Sequence, residues 1–69
     1  MLQVELVDAD KKILEYVKKR GMASPQEVAI ALGEYSINYI RTRMSLLEKA
    51  GLLKRVSRGL YAPGGENER

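Results

Sequence analysis

Residues 46–63 read LLEKAGLLKRVSRGLYAP. A helical end with leucines on one side stops at Gly51, and two short apolar runs follow with cations around a second glycine. Residues 52–56 read as a strand, Ser57-Arg58-Gly59 as a three-residue turn with glycine in the left-handed position, and residues 60–62 as the returning strand. Pro63-Gly64-Gly65 then ends regular structure. The pattern is that of a basic β-hairpin placed directly after a helix, and it leaves open which face of the hairpin is buried.

Moving towards the N-terminus, Ser36 caps a helix that runs to Ala50. Ile37, Ile40, Met44 and Leu47 share its inner side at about 100° per residue. Asn38, Thr42, Ser45 and Lys49 share the outer side, flanked by Tyr39 and Arg41. Arg43 projects between the two sides, placed either to brace a neighbouring helix or to meet a phosphate.

Before it, Ser24-Pro25-Gln26-Glu27 has the form of a capping box, with proline at the first helical position and glutamate three residues after the cap. Val28, Ala29 and Leu32 supply the buried side of this short helix, and Gly33 ends it. The first helix opens at Asp8 as N-cap, with Asp10 adding negative charge to the first turn. Ala9, Ile13, Leu14 and Val17 form its apolar stripe, and Lys18, Lys19 and Arg20 precede the stop at Gly21. Residues 1–7 alternate like a strand, able to pair with the hairpin or a second subunit, and equally suit an extension of the first helix.

The expected organisation is one mainly α domain with a small β-hairpin over residues 8–62. It is preceded by the 1–7 extension and followed by a disordered tail, 63–69. At 69 residues with no cysteine or histidine, the chain has neither disulfides nor the usual zinc ligands. Stability must come from helix packing, from a partner subunit, or from both. The opening MLQVELVDAD lacks a signal peptide's basic and apolar regions, and no run is long enough to span a membrane, so a cytoplasmic location is expected.

The net charge of +3 is unevenly spread. Residues 36–62 hold Arg41, Arg43, Lys49, Lys54, Arg55 and Arg58 against Glu48 alone, a net +5. Such a stretch suits a polyanion. Asparagine pairs with adenine and arginine with guanine through two hydrogen bonds, which makes Asn38 and Arg43 candidate base readers. Thr42 and Tyr39 are suited to a phosphate or a thymine methyl. Lys11, Lys12, Lys18 and Lys19 read as solubility and helix-dipole residues, and the tyrosines other than Tyr39 as packing. With no histidine or cysteine, no phosphate-cradling glycine loop and no acidic pair at shared-site spacing, an enzyme is not expected.

The order helix, short helix, tight turn, longer helix and basic hairpin resembles the winged helix-turn-helix fold. LLEKAGLLKRVSRGLYAP is similar to the recognition-helix end and wing of MarR- and ArsR-type regulators. VDADKKILEYVKKRGMASPQEVAIALG resembles the start of the Lrp/AsnC DNA-binding domain. The resemblance covers about residues 8–62 and implies three helices and a wing. It implies that the third helix, residues 36–50, enters the major groove of double-stranded DNA and that the wing, 52–62, lies on the backbone or minor groove. Carried over by position, Ser36, Asn38, Tyr39, Thr42 and Arg43 face DNA with Arg41 at the edge, and Lys54, Arg55 and Arg58 contact phosphates. The appended ligand domain, long dimerisation helix and metal-sensing cysteines or histidines of larger members have no counterpart in these residues. No cofactor, metal or small-molecule effector is therefore implied, and a homodimer would use another surface such as residues 1–7.

The expected function is a small, nucleoid-associated transcriptional regulator, sequence-specific and homodimeric, comparable in size to archaeal, viral or plasmid regulators. The alternatives are a winged-helix protein-interaction module and a non-specific architectural DNA binder.

Overall fold

Three helices and a two-stranded antiparallel hairpin make up the protein in a computed structural model, which describes residues 6–64. The helices are α1 (Asp8–Arg20), α2 (Pro25–Leu32) and α3 (Ile37–Lys49); the strands are β1 (Leu53–Ser57) and β2 (Leu60–Pro63).

The α1 boundary differs from expectation by one residue. Val7, not Asp8, occupies the cap, because the Asp10 carboxylate reaches back to accept the Val7 N–H at 3.1 Å. The Lys11 N–H then bonds the Val7 carbonyl and starts the helical ladder. At α2, Ser24 caps as expected, its Oγ accepting the Glu27 N–H at 3.1 Å. The reciprocal half of the capping box is replaced: the Glu27 carboxylate accepts from the Tyr16 hydroxyl at 2.8 Å and lies 3.3 Å from Arg20 Nε. Glu27 thus joins α2 to α1.

Ile13 and Val17 of α1, Val28 of α2 and Ile40, Met44 and Leu47 of α3 are fully buried and meet in one core. Removing such side chains from water is the main driving term for folding. Ile37 is less covered than expected: it remains 38% exposed at the first position of α3. At about 100° per residue it lies about 20° from the buried Met44, so it is on the core-facing side, and its place at the very start of the helix leaves it partly uncovered.

The hairpin answers which of its faces is buried. Leu53 and Tyr61 point into the core, whereas Lys54, Arg55, Val56 and Ser57 are exposed. Pairing runs Leu53 to Pro63, Lys54 to Ala62, Arg55 to Tyr61 and Ser57 to Leu60, which leaves Val56 as an extra, bulged residue. The loop is therefore Arg58-Gly59 alone, two residues rather than three. Gly59 has φ 75°, a left-handed value that favours glycine.

Regular structure also continues past Ala62. Pro63 belongs to β2, and the Gly64 N–H bonds the Leu52 carbonyl at 2.9 Å, so these two residues belong to the fold and not to a tail. A Cβ at Gly64 would run into the Gly51 carbonyl oxygen and approach Leu52 C to 2.8 Å. Glycine is there because two backbones meet.

Of the N-terminal extension, Leu6 packs against the core and Val7 caps α1, while residues 1–5, like residues 65–69, lie outside the described residues. Among the described residues, the other edge of β2 makes one isolated bridge. Ala23, between α1 and α2, forms an antiparallel bridge with Tyr61.

Candidate nucleic-acid interface

The start of α3 is set by Ser36, whose Oγ accepts the Tyr39 N–H at 3.1 Å. With Ile40, Met44 and Leu47 inward, the helical period turns Asn38, Thr42 and Lys49 outward, and all three are exposed, as is Arg41 beside them. Thr42 Oγ1 donates to the Asn38 carbonyl at 3.0 Å. Its proton is thus committed to its own helix, which leaves its methyl group and a lone pair to face outward. Ser36 uses its hydroxyl oxygen as an acceptor and keeps the hydroxyl proton free to donate.

Tyr39 is 40% exposed and stacks on Tyr35, with ring centroids 5.5 Å apart and planes at 30°. Lys12 Nζ lies 6.0 Å from the Tyr35 ring centroid and bonds Glu34 at 2.8 Å, so the array Lys12, Glu34, Tyr35, Tyr39 links α1 to the first turn of α3. The Glu34 hydrogen bond and charge raise the Lys12 pKa, and Lys12 in turn lowers that of Glu34. Nothing in local periodicity foretold this pairing.

Arg43 stands apart from the other candidates. It turns towards α1, where its Nε meets Asp10 Oδ1 at 2.8 Å and its Nη2 meets Asp10 Oδ2 at 2.6 Å. Of the two directions open to it, the guanidinium takes the one that braces a neighbouring helix. Asp10 is fully buried and Arg43 has 21% of its side chain exposed. Burial works against the carboxylate's charge, but the Arg43 hydrogen bonds, the Val7 N–H and the Arg43 charge outweigh it and leave Asp10 below its ordinary pKa. The first-turn aspartate is therefore a core residue and not a surface dipole partner. Its position was a usable signal: Asp10 precedes Ile13, Leu14 and Val17 by three, four and seven residues, the spacing of the buried stripe.

In the hairpin, Lys54, Arg55 and Arg58 are all exposed. Because the Tyr61 N–H and carbonyl both bond Ala23, the Arg55–Tyr61 cross-strand pair exchanges no hydrogen bonds, the closer of the two antiparallel pair types. The Arg55 guanidinium accordingly sits 6.0 Å from the Tyr61 ring centroid, within cation–π range. Arg55 remains exposed, so the guanidinium that faces the ring also meets water.

The ion pairs divide the molecule. Asp10, Glu27 and Glu34 are matched by Arg43, Arg20 and Lys12, all through α1. Arg41, Lys49, Lys54, Arg55 and Arg58 make no ion pair among the described residues. Lys11, Lys18 and Lys19 of α1 are likewise exposed and without an ion pair, and the carboxylates of Asp8, Glu15 and Glu48 are also unpaired. What sets α3 and the hairpin apart is that Glu48 is the one acid among their five unpaired cations.

Among the described residues, no three acidic, histidine or cysteine side chains cluster as a metal site, and no helix is long and apolar enough to cross a membrane. Comparisons with protein-family models, with curated proteins and with solved structures find no match.

Proposed function

We propose that the chain is a duplex-DNA-binding protein of winged helix-turn-helix type, with α2 and α3 as the helix-turn-helix and β1–β2 as the wing. The observation that carries this reading concerns five of the eight exposed cations without ion pairs among the described residues. These five, Arg41, Lys49, Lys54, Arg55 and Arg58, follow one another on α3 and the hairpin with Glu48 as the single acid among them; the other three are Lys11, Lys18 and Lys19 of α1. Unpaired arginines suit forked contacts to phosphate, and releasing counterions from the DNA backbone supplies the affinity.

In this arrangement α3 lies in the major groove. Asn38 reads an adenine edge, the Thr42 methyl meets a thymine methyl, and Arg41 contacts guanine or phosphate at the rim. The Ser36 hydroxyl and Tyr39 phenol donate to phosphates and fix register. Lys54, Arg55 and Arg58 hold the backbone beside the groove. The protein acts as a sequence-specific transcriptional regulator, a homodimer on a two-fold site in the nucleoid.

Selection of bound sequences from random duplex DNA tests this. An enriched palindrome is the expected result. Retention without enrichment would mean an architectural binder, and absence of binding at low salt would mean a protein-interaction module.

A further inference from the structure

Asp10 is the only charged residue buried among the described residues, and its partner lies on the proposed reading helix. Two of its contacts come from Arg43 and a third from the Val7 N–H, so one carboxylate ties the start of α1 to the middle of α3. A fork of two parallel N–H···O bonds fixes direction as well as distance. Among the described residues Arg43 makes the only side-chain hydrogen bonds from α3 to another helix. The rest of the α3 anchorage is packing, through Ile40, Met44 and Leu47 in the core and through the Tyr39 ring stacked on Tyr35. Apolar packing alone tolerates small rolls of a helix about its axis. A roll of about 20° moves a side-chain tip about 2 Å on a helix of about 5–6 Å outer radius. Hydrogen bonds to base edges do not survive such a displacement.

We propose that Asp10, acting through Arg43, is a positioning residue for base recognition: the pair sets the roll of α3, and neither residue touches DNA. The inference rests on the DNA-binding reading above. It assigns Arg43 a different task from the other cations of α3 and the hairpin, and it gives a specificity role to α1, which carries none of the DNA-contact candidates.

The test measures affinity for a selected duplex and for random duplex across a salt series, using the full chain and variants whose folding is checked by circular dichroism. Arg43→Lys keeps the charge and loses the fork; Asp10→Asn keeps the shape and weakens the pair. Each is expected to lower the ratio of selected to random affinity by about tenfold, the size of one lost base contact. The neutral pair Asp10→Leu with Arg43→Met, which removes the buried charges together and so keeps the core packed, is expected to lower the ratio similarly. It is also expected to leave the salt slope on random DNA at the wild-type value.

A slope reduced by about one in that double variant would make Arg43 a phosphate contact and overturn the inference. An unchanged ratio in folded variants would reduce the pair to a structural brace and overturn it as well. A wild-type chain with no preference for any duplex would overturn the recognition reading itself. That outcome is distinct, because it shows before any variant is made.

Discussion

Ala23 and Tyr61 exchange two backbone hydrogen bonds, Ala23 N–H to the Tyr61 carbonyl at 2.9 Å and Tyr61 N–H to the Ala23 carbonyl at 3.0 Å. The connection between α1 and α2 thereby becomes a third, one-residue edge of the hairpin. Without it β2 would have an open edge, and a lone hairpin is marginal in water. The bridge also seats the Tyr61 ring in the core, where it is 5% exposed.

Truncating that ring should therefore loosen the hairpin and the helices together. Tyr61→Ala is expected to cost about 3 kcal/mol or more, the usual range for removing a buried aromatic ring. A core of this size supplies only about 3–5 kcal/mol, so the variant should keep at most about 2 kcal/mol of stability, with a clearly lowered midpoint. Urea denaturation followed by circular dichroism checks this, and a midpoint within error of wild type would contradict it.

Gly64 offers a second, sharper case. Its added Cβ would strike the Gly51 carbonyl and come within 3.0 Å of Gly51 C, and these are backbone atoms that cannot swing away. Gly64→Ala should destabilise by about 1–3 kcal/mol, as overpacking does. Thermal melts of the variant beside the wild type check this, and an unchanged melting temperature would contradict it.

Acid should weaken the fold through Asp10. Its folded pKa lies below the ordinary 3.8, so its stabilisation is present above that value and fades as pH falls through the lower folded value. Asp10→Asn should cost about 1–2 kcal/mol at neutral pH, because the neutral amide keeps one hydrogen bond and Arg43, 21% exposed, keeps contact with water. It should also flatten the loss of stability below about pH 4. Equal acid sensitivity in the two proteins would show that Asp10 is not the titrating group.

The N-cap of α2 predicts a smaller effect. Ser24→Ala removes the acceptor for the Glu27 N–H and should cost about 1 kcal/mol. Ser24→Asp should restore most of it. Chemical denaturation of the two variants decides the point.

Local chemistry was legible in the sequence, and long-range chemistry was not. Ser24 and Ser36 announce the starts of α2 and α3 because a capping hydroxyl acts within three residues, and Gly21 and Gly51 mark ends for a similarly local reason. The stripe Ile40, Met44 and Leu47 follows from helical period alone. By contrast, Arg43 and Asp10 are 33 residues apart in the chain, so only the packed arrangement could give Arg43 its partner. The same holds for the Ala23–Tyr61 bridge and for Gly64 against Gly51, which looked like mere punctuation. The candidates Asn38, Arg41, Lys54 and Arg58 are exposed with no partner for their charged or amide ends among the described residues, while Arg55 is exposed with its guanidinium over the Tyr61 ring.

The central claim is that unpaired cations on α3 and the hairpin bind duplex DNA. The most direct measurement is duplex affinity against salt concentration for the wild type and for Arg55→Ala with Arg58→Ala. The account predicts that log K falls linearly with log salt, by about 0.9 per phosphate contacted, and that the double variant has a slope shallower by about two. A chain that binds no duplex at low salt, or one whose affinity ignores both salt and the two arginines, would contradict it.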